Sequence, residues 1–179
     1  DAVTTATLTS AGALNTAAVG AYPITVSTAS GSGLDNYTIN YIAGTLLVSP
    51  AVLTVTADDQ SRSYGAANPE FTVSYSGFVN DESLANSNVT GAPEIGTLAN
   101  ANSPVGTYEI TNSLGTLTAT NYVFALTNGT LTITPLAVTV MAGAQSKAYG
   151  STDPELSYQV GSPLINGDNF SGALTRTPG

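Results

Sequence analysis

The sequence predicts an all-β protein built from tandem β-sandwich repeats. Apolar and polar residues alternate with a period of two in short runs, which is typical of strands that bury one face. Gly, Pro and Asn separate these runs, and several motifs recur about 85 residues apart, which indicates a repeated domain. Only the segment 80–88, NDESLANSN, could hold a turn of helix.

Three pairs of matching segments define the repeat. QSRSYGAANPEF and QSKAYGSTDPEL share their Tyr-Gly and Pro-Glu pairs, NYVFALTNGTLTITP matches NYTINYIAGTLLVSP, and VGTYEI matches VGAYPI. These matches divide the chain into the rear half of one repeat (1–50), a complete repeat (51–135) and the front half of a third (136–179). Pro50 and Pro135 come directly before the first strand of the next repeat, so the linkers are short and we expect a stiff array.

Within the complete repeat, the period-two runs predict roughly five to seven short strands, which is typical of an immunoglobulin-like β-sandwich. A β-grasp-like arrangement is the alternative. The interleaved threonines are expected to face outward, at Thr54, Thr56, Thr72, Thr130, Thr132 and Thr134. The expected core of one closed sandwich consists of Leu53, Val55, Phe71, Val73, Tyr108, Ile110, Tyr122, Phe124, Leu131 and Ile133.

A Tyr-Gly turn is expected after the first strand of the repeat. Gly65 can adopt the positive φ that other residues resist. Pro69 fixes its own φ and favours an extended Asn68, which redirects the chain into the next strand. Tyr64 and its counterpart Tyr149 either cap the core with their rings or form exposed aromatic platforms for carbohydrate or protein.

Composition excludes several classes of function. Charged residues make up 8% of the chain and the net charge is -9, so Arg62, Lys147 and Arg176 cannot form the basic face that nucleic acid requires. The lack of His and Cys removes the imidazole base, the thiol nucleophile and the soft metal ligands. We therefore predict no enzymatic activity, no catalytic residues and no cofactor. No apolar stretch approaches the length of a membrane span, which predicts no membrane insertion.

Carboxylates are the remaining candidate metal ligands, because Ca²⁺ prefers oxygen. Asp58 and Asp59 adjoin near a repeat junction, Asp81 and Glu82 adjoin in a loop, and Asp168 lies in the third segment. No calcium-loop motif surrounds them, so we interpret them as solvated loop carboxylates and predict no metal site. A Lys-Asn isopeptide crosslink is excluded within the complete repeat, which contains no Lys.

The motifs LTVTADDQSRSYGAANPEF, VGTYEI and NYVFALTNGTLTITP resemble the MBG or YDG-type tandem repeats of very large bacterial surface and adhesin-like proteins. The resemblance covers essentially the whole chain in three pieces. It implies an extracellular, cell-surface array that is structural or adhesive, and it defines no active site.

Two hypotheses about function follow. The first is a stiff stalk or filament element whose partners are neighbouring repeats or copies, arranged head to tail. The second is an adhesive module that binds a glycan or protein of a host or cell surface, for which Tyr41, Tyr75 and Tyr158 are candidate contact residues. Thr and Ser dominate the expected exposed positions, which favours the stalk.

The two terminal segments are expected to expose apolar faces. Residues 1–50 contain counterparts of the later strands only, at Tyr22–Val26, Tyr37–Tyr41 and Leu46–Val48, and residues 136–179 contain counterparts of the first strands only. Each half needs strands that complete it. Another copy or a neighbouring repeat of a longer polypeptide would provide them, and both arrangements predict an extended head-to-tail fibre.

Overall fold

The structure, a computed structural model, describes residues 1–172 and contains twelve strands in that range. Two 3₁₀ helices of three residues each, Ala11–Ala13 and Leu34–Asn36, are the helical elements of this part of the chain. The last seven residues of the predicted third segment, which include Arg176, lie outside the described residues. The strands are β1 (Ala2–Thr9), β2 (Gly20–Ser32), β3 (Gly44–Val48), β4 (Ala51–Ala57), β5 (Gln60–Ser63), β6 (Val73–Ser76), β7 (Glu94–Gly96), β8 (Gly106–Ser113), β9 (Tyr122–Thr127), β10 (Gly129–Thr134), β11 (Val140–Ala142) and β12 (Tyr158–Val160).

The chain divides into two compact units. The first unit comprises residues 1–58, 71–96 and 111–129, and the second comprises, of the described residues, 59–70, 97–110 and 130–172. Strands of the middle segment therefore belong to both units, and β8 contributes residues to each. The predicted segment boundaries, and one closed sandwich over residues 51–135, stay predictions.

The first unit contains two three-stranded sheets. In one sheet β2 lies between β1 and β3 and is antiparallel to both. In the other β4 lies between β6 and β9, antiparallel to β6 and parallel to β9. In addition, β7 pairs with the last residues of β8. The central position of β4 explains why its alternating sequence buries every second side chain.

The core of the first unit lies on one face of β4. Leu53 and Val55 are completely buried there, and Val89, Leu117 and Tyr122 complete the buried cluster. Full burial of an aliphatic side chain of this size stabilises a fold by about 1.5–3 kcal/mol. The cluster therefore holds β4, β6 and β9 together. Half-buried Ala51, Val73, Tyr75, Phe78, Ala119 and Phe124 pack against it.

The second unit has β10 at its centre. This strand lies between β5, to which it is parallel, and β8. Leu131 and Ile133 of β10 are buried, as is Ile110 of β8. Farther along the chain β11 and β12 form a short antiparallel pair, in which only Val160 is half-buried and the other residues are exposed.

All ten residues expected in the core are buried or half-buried. Nine of them lie in strands, as the period-two runs predict, whereas Phe71 precedes β6 and has no regular secondary structure. Among the threonines, Thr72 and Thr134 are exposed as expected. The other four lie within β4 or β10, which have a neighbouring strand on each side, and are half-buried; Thr134 is the last residue of β10. Val89 and Leu117 were not expected in the core, since they lie outside the period-two runs.

The all-β class is confirmed. Two strand pairs are parallel, β4 with β9 and β5 with β10, whereas the sheets of an immunoglobulin sandwich are antiparallel. The immunoglobulin-like topology therefore stays a prediction. The segment 80–88 contains turns and no helix.

Two local expectations differ from the structure. Gln60–Ser63 forms β5, so the Tyr-Gly turn follows the second strand of the repeat and not the first. Tyr37–Tyr41 was expected to be a strand, but residues 37–43 have no regular secondary structure. Their counterpart, β9, is a strand because it pairs along its whole length with β4, and in the described chain no strand pairs with residues 37–41.

Candidate functional site

The Val-Gly-x-Tyr motif has the same structure in both of its copies. The Tyr22 hydroxyl donates a hydrogen bond of 2.8 Å to the carbonyl of Ala18, and the Tyr108 hydroxyl donates one of 2.8 Å to the carbonyl of Pro104. In both copies the acceptor lies four residues before the tyrosine. These bonds tie the loop to the strand that follows it, so the recurrence of this tyrosine has a structural cause.

The Tyr-Gly turn is also repeated. The φ angles of Gly65 and Gly150 are 80° and 81°, which confirms the expected positive φ. The backbone nitrogen of Tyr64 donates a hydrogen bond of 2.8 Å to the Thr134 carbonyl, and this side chain is half-buried. Tyr149, in contrast, is fully exposed. Of the two candidate platforms, only Tyr149 therefore presents its whole ring to solvent.

A buried arginine is the polar centre of the second unit. Arg62 is only 7% exposed, and its Nε donates to Asn68 Oδ1 at 2.7 Å. Its Nη2 donates to the Asn100 carbonyl at 2.6 Å and its Nη1 to the Ser63 carbonyl at 3.2 Å. Asn68 Nδ2 in turn donates to the Ala99 carbonyl at 2.8 Å. These bonds fasten the turn to the loop before β8.

This role of Arg62 is not predicted from the sequence, in which the residue is one of three scattered cations. The signal that could have revealed it is a basic residue followed six positions later by Asn or Asp, which occurs in both front halves. In the third segment Lys147 and Asp153 form an ion pair at the equivalent positions, with side chains 47% and 32% exposed. The pair is thus preserved, but only the copy in the complete repeat is buried.

The two adjacent carboxylates near the repeat junction accept hydrogen bonds from the protein. Thr72 Oγ1 and Ser74 Oγ each donate at 2.6 Å to one oxygen of Asp58, and the Ser74 and Thr72 bonds lower the pKa of that carboxyl. Asp59 Oδ1 accepts from the backbone nitrogen of Thr130 at 2.7 Å. Both carboxylates therefore act as hydrogen-bond acceptors that hold neighbouring strands in place.

The other candidate calcium ligands are placed differently. Asp81 is exposed and has a φ of 59°, whereas Glu82 is half-buried and accepts a hydrogen bond from the Tyr122 hydroxyl. Asp168 is exposed beside Phe170. Among residues 1–172 no three side chains of His, Cys, Asp or Glu are grouped as a metal site would require.

The three candidate contact tyrosines have different environments. Tyr75 packs against the core cluster and against Phe78, and burial raises the pKa of its hydroxyl. Tyr41 is 46% exposed and its hydroxyl accepts from the backbone nitrogen of Ala29. Tyr158 is 43% exposed and meets the ring of Phe170 edge to face. Tyr75 is therefore a core residue, and Tyr41 and Tyr158 remain candidate contact residues.

Each unit has an open depression in one of the terminal segments. The first, of about 360 Å³, is lined by Asp1, Ala2, Val3, Leu34, Tyr37 and Ile39. The second, of about 400 Å³, is lined by Tyr158, Val160, Pro163, Leu164, Asp168, Asn169 and Phe170. Neither lining contains a set of converging catalytic groups: the first is mainly apolar, and the second combines aromatic and aliphatic side chains with Asp168 and Asn169.

Within the described part of the chain, no helix has the length and apolar character needed to cross a membrane.

Comparison with known proteins identifies the repeat. The family model described as the MBG domain, YGX type, matches residues 1–47, 53–132 and 138–179. No curated protein and no solved structure matches the chain significantly.

Proposed function

Because the chain belongs to the family of MBG domains of the YGX type, we propose that it is an extracellular structural repeat of a bacterial surface protein. In this role it forms part of a stiff stalk or filament that holds other parts of the protein away from the cell. The family match supports a repeat domain of a surface-type protein, and three matches along one chain fit a tandem arrangement.

The observation that carries this proposal is the repeated tyrosine hydrogen bond. Tyr22 and Tyr108 both donate to a carbonyl of their own loop, so the most regular motif of the repeat serves the fold. The carboxylates favour the same role, because Asp58 accepts from threonine and serine hydroxyls and Glu82 accepts from a tyrosine. A non-enzymatic, structural function needs these stabilising hydrogen bonds and no catalytic group.

A second candidate function is adhesion. Tyr149 is fully exposed, and the rings of Tyr158 and Phe170 border an open depression. An aromatic surface of this kind suits a sugar ring or an apolar side chain of a protein. In this alternative the stalk itself contacts a host or cell-surface partner.

Surface labelling tests the location. Antibodies raised against the purified chain should label intact cells that produce the natural protein, and should label them as strongly before lysis as after. Antibodies against a cytoplasmic protein of the same cells are the control. Labelling that appears only after lysis would contradict the extracellular assignment.

Binding measurements separate the stalk from the adhesin. The stalk predicts no saturable binding of the purified chain to glycan arrays or to host extracellular matrix proteins. Saturable binding that Tyr149→Ala abolishes and Tyr37→Ala preserves would favour the adhesive module instead, since both tyrosines are exposed but only Tyr149 belongs to the candidate platform.

A further inference from the structure

Two asparagines of the complete repeat bind the segment that precedes it. Asn121 Oδ1 accepts a hydrogen bond of 3.2 Å from the backbone nitrogen of Val19, and Asn80 Nδ2 donates one of 3.0 Å to the carbonyl of Asn15. Asn15 and Val19 lie within the first match of the family model, whereas Asn80 and Asn121 lie within the second. All four residues belong to the first unit. The two bonds therefore join consecutive repeats inside one compact unit.

The segment that receives these bonds is held by contacts of its own. The backbone nitrogen of Ala17 donates a hydrogen bond of 3.0 Å to the carbonyl of Leu14, which closes a turn around Asn15. The Tyr22 hydroxyl donates to the carbonyl of the residue just before Val19. The carbonyl of Asn15 and the amide of Val19 are therefore presented from a loop that is fixed at both ends.

Asn121 is also bonded to the first strand of its own repeat. Its carbonyl accepts a hydrogen bond of 3.0 Å from the backbone nitrogen of Ala51, where β4 begins. Ala51 directly follows Pro50 of the linker. One residue therefore contacts the chain on both sides of the linker, through its side chain at Val19 and through its carbonyl at Ala51.

Asn80 lies in a turn whose backbone conformation is unfavourable for residues with a side chain. The φ angles of Asn80 and Asp81 are 55° and 59°, and the backbone nitrogen of Glu82 donates to the carbonyl of Val79 at 3.1 Å. The Tyr122 hydroxyl holds both ends of this turn, because it accepts from the Val79 nitrogen and donates to the Glu82 carboxylate. Strain of this kind persists only where surrounding contacts fix the backbone.

The same turn recurs in the third segment. Asn166 and Gly167 have φ angles of 54° and 80°, and the backbone nitrogen of Asp168 donates to the carbonyl of Ile165 at 3.0 Å. Asn166 and Asn80 both occupy the first central position of their turns. The two turns are therefore equivalent elements of consecutive repeats.

The second turn also contacts the repeat that precedes it. Ile165 is half-buried and lies beside Gly65 of the complete repeat, since a Cβ on Gly65 would be 1.9 Å from Ile165 Cδ1. Both residues belong to the second unit. The glycine of the Tyr-Gly turn thus leaves room for a side chain of the following repeat, in addition to its positive φ. Each turn therefore lies against the preceding repeat, by a polar contact in one case and an apolar contact in the other.

We propose that the turns 79–82 and 165–168 are the contact elements between consecutive repeats of one polypeptide, and that they fix the orientation of each repeat on the one before it. The partner of the first turn is the loop 14–19, and the partner of the second is the Tyr-Gly turn. A short linker limits the separation of two repeats, whereas these contacts also limit rotation about the linker. This inference rests on the proposed function, because it names the contacts that make the stalk stiff.

Matched substitutions by aspartate test the first contact, because the two asparagine amides have opposite roles. Asn80→Asp replaces the donor by a carboxylate, which cannot bond to the carbonyl of Asn15 and should release the contact. Asn121→Asp keeps an oxygen acceptor for the Val19 amide and should preserve the contact. Both variants add one negative charge, so a difference between them does not come from net charge.

Pulsed electron paramagnetic resonance measures how firmly the repeats are held. The chain contains no Cys, so spin labels at Thr7→Cys and Ser76→Cys, which are exposed positions of the first unit, report the distance between the two repeats. The labelled parent and its Asn121→Asp variant should give one narrow distance distribution, and Asn80→Asp a broad one. Asn88→Asp, at an exposed position of the same loop, is the control and should give the narrow distribution.

Three outcomes of this measurement would overturn the proposal. The first is a broad distribution in the parent, and the second is a distribution in Asn80→Asp as narrow as that of the parent. The third is equal broadening by Asn80→Asp and Asn88→Asp, which would show an effect of charge and not of the contact.

Amide hydrogen exchange provides a second readout of the first contact. Asn121→Ala removes the acceptor and should accelerate exchange of the Val19 amide by roughly tenfold, whereas the amide of Ile133 in β10 should keep its rate. Asn121→Asp should restore slow exchange at Val19. Unchanged exchange at Val19, or equal acceleration at Ile133, would contradict a local contact.

Ile165→Ala tests the second contact. Spin labels at Thr107→Cys and Gln159→Cys occupy exposed positions of the second unit, one in each of the two repeats. Ile165→Ala should broaden their distance distribution, because it removes the side chain that lies beside Gly65. Leu156→Ala shortens an exposed side chain of the same segment and should leave the distribution narrow. Equal distributions for the two variants would contradict the role of Ile165.

The two proposals can fail separately. Narrow distances in a protein that is labelled only after lysis would keep the contacts between repeats and remove the extracellular role. Labelled intact cells together with broad distances would keep the surface location and remove the fixed orientation of the repeats.

Discussion

The Tyr122 hydroxyl donates a hydrogen bond of 2.6 Å to the carboxylate of Glu82. The same hydroxyl accepts a bond of 3.2 Å from the backbone nitrogen of Val79, so one core side chain holds two points of a long loop. Glu82 was expected to be a solvated carboxylate. The contact shows instead that the Glu82 carboxylate is bound to a core side chain.

Tyr122→Phe should therefore lower the free energy of unfolding by about 1–2 kcal/mol, because it removes the donor to a carboxylate and the acceptor for the Val79 amide while keeping the ring. Urea unfolding followed by circular dichroism measures the change. Tyr149→Phe is the control, since Tyr149 is fully exposed and should change stability little. Equal effects of the two substitutions would contradict the assigned contact.

Tyr122 should also make stability sensitive to alkaline pH. Burial, together with the hydrogen bond to Glu82, raises the pKa of this hydroxyl above the ordinary value of 10.0. Its contribution to stability is complete below pH 10.0 and is lost as the pH rises through the raised pKa of the folded state. Urea unfolding at several pH values from neutral to strongly alkaline should show a steeper loss for the natural chain than for Tyr122→Phe. An equal loss of stability with pH in the two proteins would argue against ionisation of Tyr122 as the cause.

Substitutions of the equivalent cations Arg62 and Lys147 should have unequal effects on stability. Arg62→Ala removes the hydrogen bonds that the buried guanidinium donates to the oxygens of Asn68 and Asn100, so we expect a loss of about 2–4 kcal/mol in unfolding free energy. Lys147→Ala breaks an exposed ion pair, which is worth about 1 kcal/mol or less. Arg62→Lys keeps the charge and should fall between them. A cost for Lys147→Ala as large as that for Arg62→Ala would contradict this account.

Asp58 should contribute to stability at neutral pH and lose that contribution in acid. Hydrogen bonds from Ser74 and Thr72 lower its pKa below the ordinary value of 3.8. The contribution is therefore present above about pH 4 and is lost as the pH falls through the lowered pKa of the folded state. In carboxyl-detected NMR titrations, Ser74→Ala should shift the Asp58 midpoint upward. Thr90→Ala, on an exposed hydroxyl far from Asp58 in sequence, should leave the midpoint unchanged.

The two Tyr-Gly turns provide a matched test of backbone strain. Gly65→Ala forces a side chain onto a φ of 80°, at a cost of about 1 kcal/mol, and its Cβ would lie 1.9 Å from Ile165 Cδ1 unless that side chain moves. Gly150→Ala meets the same backbone restriction but no atom within 4 Å. We expect the larger loss of thermal stability for Gly65→Ala. A larger loss for Gly150→Ala would contradict the assigned contact with Ile165.

Local pattern predicted much of the fold. The period-two runs placed Leu53 and Val55 in the core, and the repeated Tyr-Gly pair predicted the positive φ of Gly65. These features depend on side chains and dihedral angles within a few residues of one another, which is information that a sequence contains. The buried role of Arg62 was missed, because its burial depends on Asn100, 38 residues away.

The sequence by itself determined the period of the repeat, the all-β class and the core residues that lie in period-two runs, since each follows from spacing along the chain. Only the tertiary structure decided that β4 pairs in parallel with β9 and β5 with β10, because strand neighbours are chosen by packing between distant segments. It also decided the state of Tyr37–Tyr41. The sequence there resembles that of β9, but a strand is stable only beside a partner that satisfies its backbone groups, and in the described chain none pairs with this segment.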